Sequence, residues 1–174
     1  TEKGFATVEN AIKEYISKIK NIYTEMDNTC KGINPENIFT AENIPDKSLD
    51  EIETIINDYK EKGQSLIDEY DELIKEENIT KYIEEKNIKT RRNYFIELYK
   101  SAMLSDSMKA EYQIIRNEVS SRKDDLYSKL NYLEKVKEFL EENKSSWSIK
   151  DEKIVLNSNI VGEYYSLLNR VNEY

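Results

Sequence analysis

The sequence predicts a mainly α fold: an elongated antiparallel helical bundle with one short β-hairpin, at about residues 146–156, ahead of its last helix. Three observations carry this. Apolar residues recur every three or four positions along most of the 174-residue chain. Four glycines and two prolines supply too little turn material for an all-β fold. One stretch, Trp147 to Leu156, abandons the helical rhythm and alternates apolar with polar residues. The length suits a single domain over residues 1–174 with a substantial core.

The first helix places Phe5, Val8, Ile12, Tyr15, Ile19, Ile22 and Met26 at alternating spacings of three and four, and Cys30 roughly continues the seam. That is a coiled-coil pattern, and Gly32 followed by Pro35 ends it. Residues 33–48 hold both prolines and read as a loop with one helical turn after Asn34-Pro35. Ser48-Leu49-Asp50-Glu51 has the form of a capping box, opening a second helix that runs to Glu77. Gly63 falls on its apolar seam, so a neighbouring backbone or ring packs there or the glycine is a tolerated weak spot.

Between Thr80 and Asn143 few residues force a break. A single helix over 90–142 would be roughly 80 Å long, against a radius of gyration near 16 Å for a compact domain of this size. Ser105-Asp106-Ser107 is the best place for the chain to turn, because these residues prefer caps to helix interiors. Helices are therefore predicted at about 80–104, kinked near Asn87, and at about 107–142. In the hairpin, a two-residue turn at Asp151-Glu152 sets Ile149 opposite Ile154 and Trp147 opposite Leu156. The same register pairs Lys150 with Lys153, which must face solvent. Asn157 or Ser158 then caps a last helix through Ile160, Val161, Tyr164, Leu167, Leu168 and Val171.

The chemistry available is narrow. The chain has no histidine, which removes the usual neutral-pH base, the commonest transition-metal ligand and every Ser-His or Cys-His nucleophile pair. One cysteine cannot anchor a zinc site without carboxylates, and the scattered glycines form no phosphate loop. No cofactor, metal site or catalytic residue is expected, and the chain reads as a non-enzyme. A net charge of −9 disfavours nucleic acid and anionic lipid headgroups. The acidic run Asp68-Glu69-Tyr70-Asp71-Glu72 reads as a solvated helix face. Lys89, Arg91 and Arg92, around Thr90, make the one tight basic cluster. They either meet an anionic partner or sit at a junction whose charges answer the acidic second helix.

Among thirteen tyrosines, several are candidates for partner or pocket contacts. Tyr94, Tyr99, Tyr132, Tyr164 and Tyr165, together with Trp147, form that candidate set. The competing reading makes them semi-buried core filler.

Ser146-Trp147-Ser148-Ile149, a polar turn, Lys153-Ile154-Val155-Leu156 and a helix carrying Tyr164-Tyr165-Ser166-Leu167-Leu168-Asn169 resemble the end of uncharacterised bacterial envelope lipoproteins. The likeness covers the C-terminal third. It implies a helical bundle tethered outside the cell membrane by a lipid on a cysteine upstream of Thr1, acting as a surface or periplasmic binding or structural module. Membrane contact would then come only through that anchor. Two alternatives stand beside it: a soluble interaction module using a helix face against an unknown protein partner, and a small-ligand carrier with a pocket between helices. The seam of the first helix also suits weak self-association.

Overall fold

A computed structural model describes residues 2–174. Among the described residues seven α-helices and one antiparallel β-hairpin are present: α1 (Glu2–Lys31), α2 (Pro35–Ile38), α3 (Asp50–Leu73), α4 (Glu76–Glu84), α5 (Arg92–Met103), α6 (Asp106–Glu142), β1 (Trp147–Lys150), β2 (Lys153–Leu156) and α7 (Val161–Val171). The chain is mainly α, with the hairpin immediately before the last helix. Two compact units divide it: residues 1–26 with 65–121, and residues 27–64 with 122–174. The division falls inside α1, α3 and α6 and not in a linker.

The hairpin has the register its alternation requires. Trp147 pairs with Leu156, Ser148 with Val155, Ile149 with Ile154 and Lys150 with Lys153. Asp151 and Glu152 both take left-handed backbone angles, φ 50° and 63°, the combination that matches the twist of a two-residue hairpin turn. Neither is glycine, so the turn carries strain. Trp147, Ile149, Ile154 and Leu156 lie on the more buried face, while Ser148, Lys150, Lys153 and Val155 face water.

The buried face of α1 differs from the expected seam. Gly4, Val8, Ala11, Tyr15, Ile19, Ile22, Met26 and Cys30 are buried, whereas Phe5 is exposed and Ile12 only half-buried. The spacings repeat as four, three, four. That eleven-residue period matches a nearly straight helix better than the seven-residue period of a left-handed coiled coil. Gly4 takes the place expected for Phe5 because the Phe95 ring occupies the space a Cβ would need, its Cε2 and Cζ falling well inside contact distance.

Several boundaries also move. The second helix stops at Leu73, short of Glu77, and α4 starts two residues after Ile74. The helix expected over 80–104 is two helices, broken between Glu84 and Arg92 around Asn87. Arg92 satisfies carbonyls at that break, donating from Nη1 to Lys86 O at 2.9 Å and from Nη2 to Glu84 O. Its charge therefore answers the end of α4 and not the acidic second helix. The capping box is half-formed: the amide of Asp50 donates to Ser48 Oγ at 3.4 Å, while the Ser48 amide is already bound to Pro45 O. At α7 neither Asn157 nor Ser158 caps through its side chain. The helix begins at Val161 behind Ile160, and the Asn157 carbonyl accepts from both Ile160 and Val161 amides.

Other expectations stand. Asn34 Oδ1 accepts from the Glu36 amide to start α2. Ser105 Oγ accepts from the Met108 amide, fixing the turn between α5 and α6. A Cβ on Gly63 would lie 2.9 Å from Leu126 Cδ2 and 3.2 Å from Tyr127 Cε1, so a neighbouring side chain and ring do pack against this glycine.

Candidate interaction surface and the fate of the aromatic residues

The six aromatic candidates are split between the units: Tyr94 and Tyr99 belong to the first, and Tyr132, Trp147, Tyr164 and Tyr165 to the second. Three of them are buried. Trp147 Nε1 donates to Leu140 O at 2.8 Å, so the indole is tied to the last turns of α6. Lys47 closes over it, with Nζ 4.8 Å from the ring centroid and hydrogen bonds to Lys144 O and Trp147 O at 2.6 and 2.5 Å. Asp46 and Lys47, both left-handed at φ 52° and 60°, place that ammonium. Tyr164 packs beside Phe139 with centroids 6.4 Å apart, and burial raises its pKa.

Tyr99 is fully buried, and its hydroxyl is one of two buried side-chain polar atoms without a hydrogen bond among the described residues. Burial pushes its pKa up. Its neighbours are better served. Tyr15 donates to Leu73 O at 2.7 Å, Tyr70 to Tyr112 O at 2.6 Å, and Tyr112 to Met103 O at 2.7 Å. Burial pushes the Tyr15 and Tyr112 phenols up to about 12, so both stay neutral donors through the physiological range. Tyr132 is half-buried. It stacks on Tyr174 at 6.2 Å and accepts from Arg170 Nη1 at 3.2 Å.

Tyr94 and Tyr165 are exposed. Tyr94 is 46% exposed and meets Phe5, itself 50% exposed, edge to face with centroids 6.3 Å apart. Both rings rest on the buried Phe95, at 5.2 and 5.1 Å. Arg91, left-handed at φ 50°, lays its guanidinium 4.7 Å from the Tyr94 centroid. A groove of about 240 Å³ beside Gly4 is lined by Lys3, Thr7, Ile88 and Lys89. From Lys86 to Ile96 the chain has four cations and no carboxylate, although the whole chain holds 35 Asp and Glu. Lys86 is paired with Glu14 at 2.8 Å; among the described residues Lys3, Lys89 and Arg91 have no ion pair. The first unit thus carries an exposed aromatic pair set in positive charge on an otherwise acidic molecule.

Sequence reasoning singled out Tyr94 and the basic cluster separately, but missed Phe5 as their neighbour, because Phe5 fitted the buried seam. It also missed Lys47, although Pro45-Asp46 signals a turn at that place. Among the described residues no three His, Cys, Asp or Glu side chains gather to hold a metal ion, and no helix is long and apolar enough to cross a membrane. Compared with known proteins, the chain matches no protein-family model, no curated protein sequence and no solved structure.

Proposed function

We propose that this chain is a non-catalytic binding module whose partner-contacting surface is the edge formed by Phe5, Arg91 and Tyr94. The observation that carries this reading is a contrast among the aromatic residues. The buried indole and three buried phenols are bound to backbone carbonyls, which makes them parts of the core. Phe5 and Tyr94, by contrast, expose about half their surface, and Arg91 lies over the Tyr94 ring; tyrosine and arginine are enriched in protein-binding hot spots. Their unpaired cations favour a partner with an acidic face. The resemblance of the C-terminal third supports placing the module on the outside of a bacterial membrane, held by a lipid. The same surface would serve a soluble protein equally well.

A photo-crosslinking phenylalanine analogue at Tyr94, compared with one at Tyr23, tests the surface in the native host. A discrete protein adduct from Tyr94 alone is expected. No adduct there, or equal adducts from both positions, would overturn the assignment. The codons upstream of Thr1 test the location: a signal sequence ending in a small residue and then cysteine supports the tether, and a plain cytosolic start removes it.

A further inference from the structure

The second unit contains a cleft of about 430 Å³ that the protein-binding surface does not use. Its floor and walls include Ile33 and Leu168, both buried, and Pro35 at the start of α2. Lys129, on α6, also lines it and is only 5% exposed. Its ammonium donates to Cys30 O at 3.0 Å, near the end of α1. That bond helps cap α1, but it uses one of three N–H donors, and among the described residues no carboxylate lies within ion-pair distance. A buried cation with one neutral acceptor is short of negative charge.

More of the lining comes from α7 and from Asn172, which follows its last residue. Tyr165, Asn169 and Asn172 follow one another at spacings of four and three, so they share one helical stripe, and all three line the cleft. Tyr165 is 53% exposed, with its ring edge to face with the neighbouring Tyr164 ring at 5.4 Å. Among the described residues the side-chain amides of Asn169 and Asn172 have no hydrogen-bond partner. The lining is mainly polar around a small apolar patch of Ile33, Pro35 and Leu168, which suits a polar ligand, and the volume lies in the usual range for a small-molecule site.

We propose that this cleft binds a small, hydroxylated monocarboxylate. The carboxylate would meet the Lys129 ammonium. The Asn169 and Asn172 amides, each both donor and acceptor, suit hydroxyl groups, and the Tyr165 ring suits the C–H face of a sugar-like body. A dianion such as phosphate fits less well. Lys31, the other cation on the rim, is committed to Asp27 at 2.6 Å, and Glu36 contributes negative charge.

The test is a titration of the isotope-labelled chain with glucuronate, followed by the side-chain amide signals of Asn169 and Asn172 in NMR spectra. Saturable shifts with a millimolar or tighter dissociation constant are expected, and they should vanish in Lys129→Met. Asn172→Ala is exposed and away from the core, so it keeps the test decisive if Lys129→Met does not fold; it should weaken binding about three- to tenfold, the worth of one hydrogen bond. The proposal is overturned by the absence of saturable shifts, by equal shifts with glucose, by inorganic phosphate displacing glucuronate at equal concentration, or by undiminished binding in a folded Lys129→Met.

Discussion

The two units solve the problem of burying polar aromatic residues in different ways. In the first, tyrosines of α1, α3 and α6 fill the core and send their hydroxyls to backbone carbonyls of other turns, as Tyr15, Tyr70 and Tyr112 do. In the second, the core of α6 is largely aliphatic, with Leu126, Leu130, Leu133, Val136 and Leu140 fully buried, and one indole is gripped by a hairpin, a lysine and a helix end. A tyrosine core spreads its polar cost over several small bonds, each worth about 1 kcal/mol. A tryptophan clamp concentrates it in a single residue. The first design should therefore tolerate single changes that the second does not.

Trp147→Ala should produce the largest effect, a loss of about 3–5 kcal/mol, because it removes a buried ring, its bond to Leu140 O and the platform for Lys47. Urea denaturation followed by circular dichroism measures it. A loss below about 1 kcal/mol would show that the hairpin is dispensable and would dissolve the contrast between the units.

In the first unit two tyrosine-to-phenylalanine changes should move in opposite directions. Tyr70→Phe removes a buried hydroxyl that donates to Tyr112 O, and should cost about 1 kcal/mol. Tyr99→Phe removes a buried hydroxyl with no partner, and should be neutral or stabilising by up to about 1 kcal/mol. Equal losses from both would mean that the Tyr99 hydroxyl is satisfied, by ordered water for instance.

Replacing Asp151-Glu152 by Asn-Gly should stabilise the second unit by about 1 kcal/mol, because both positions are left-handed and the present residues resist that geometry. The effect should disappear in the Trp147→Ala background if the hairpin detaches there. Additive effects would show that the hairpin forms without its tryptophan.

The hairpin was legible because strand side chains alternate with a period of two. Once Asp151-Glu152 is the turn, only one register buries Trp147, Ile149, Ile154 and Leu156 together. The breaks at Ile74-Lys75 and around Asn87 were less legible, since neither contains a glycine or proline. What makes the second break tenable is tertiary: Ile88 is buried between α4 and α5, and Arg92 supplies the donors that the end of α4 lacks. Phe5 misled for a related reason. Apolar periodicity favours the larger residue, but the available space depends on Phe95, some ninety positions away, and there only glycine fits. The candidate tyrosines were found by type, yet their spacing alone could not separate the orphaned Tyr99 from the exposed Tyr94 five residues before it. The cleft beneath Tyr165 depends on Lys129, which lies at a charged position of α6 and reads as surface until the fold buries it.

The smallest expected effect concerns acid stability, and it too separates the units. Each has an aspartate facing an arginine of α6. In the first unit Arg116 binds Asp71 through two nitrogens, at 2.6 and 3.0 Å, and this hydrogen bonding holds the Asp71 carboxyl below its usual range. In the second, Lys31 and then Arg122 do the same for Asp27. A folded pKa depressed below the unfolded value gives stability that is complete above the unfolded value near 4 and is lost as pH falls through the lower, folded one. Asp71 keeps 41% of its side chain exposed against 20% for Asp27, so solvent and salt screen its pair more. Stability measured from neutral pH down to about pH 2 should thus fall less steeply in Asp27→Asn than in the parent chain, with a weaker flattening in Asp71→Asn that added salt erases. Identical acid limbs in both variants and the parent would place the acid sensitivity in other carboxylates, such as Glu14, whose pKa is lowered by its hydrogen bonds from Lys86 and Tyr82.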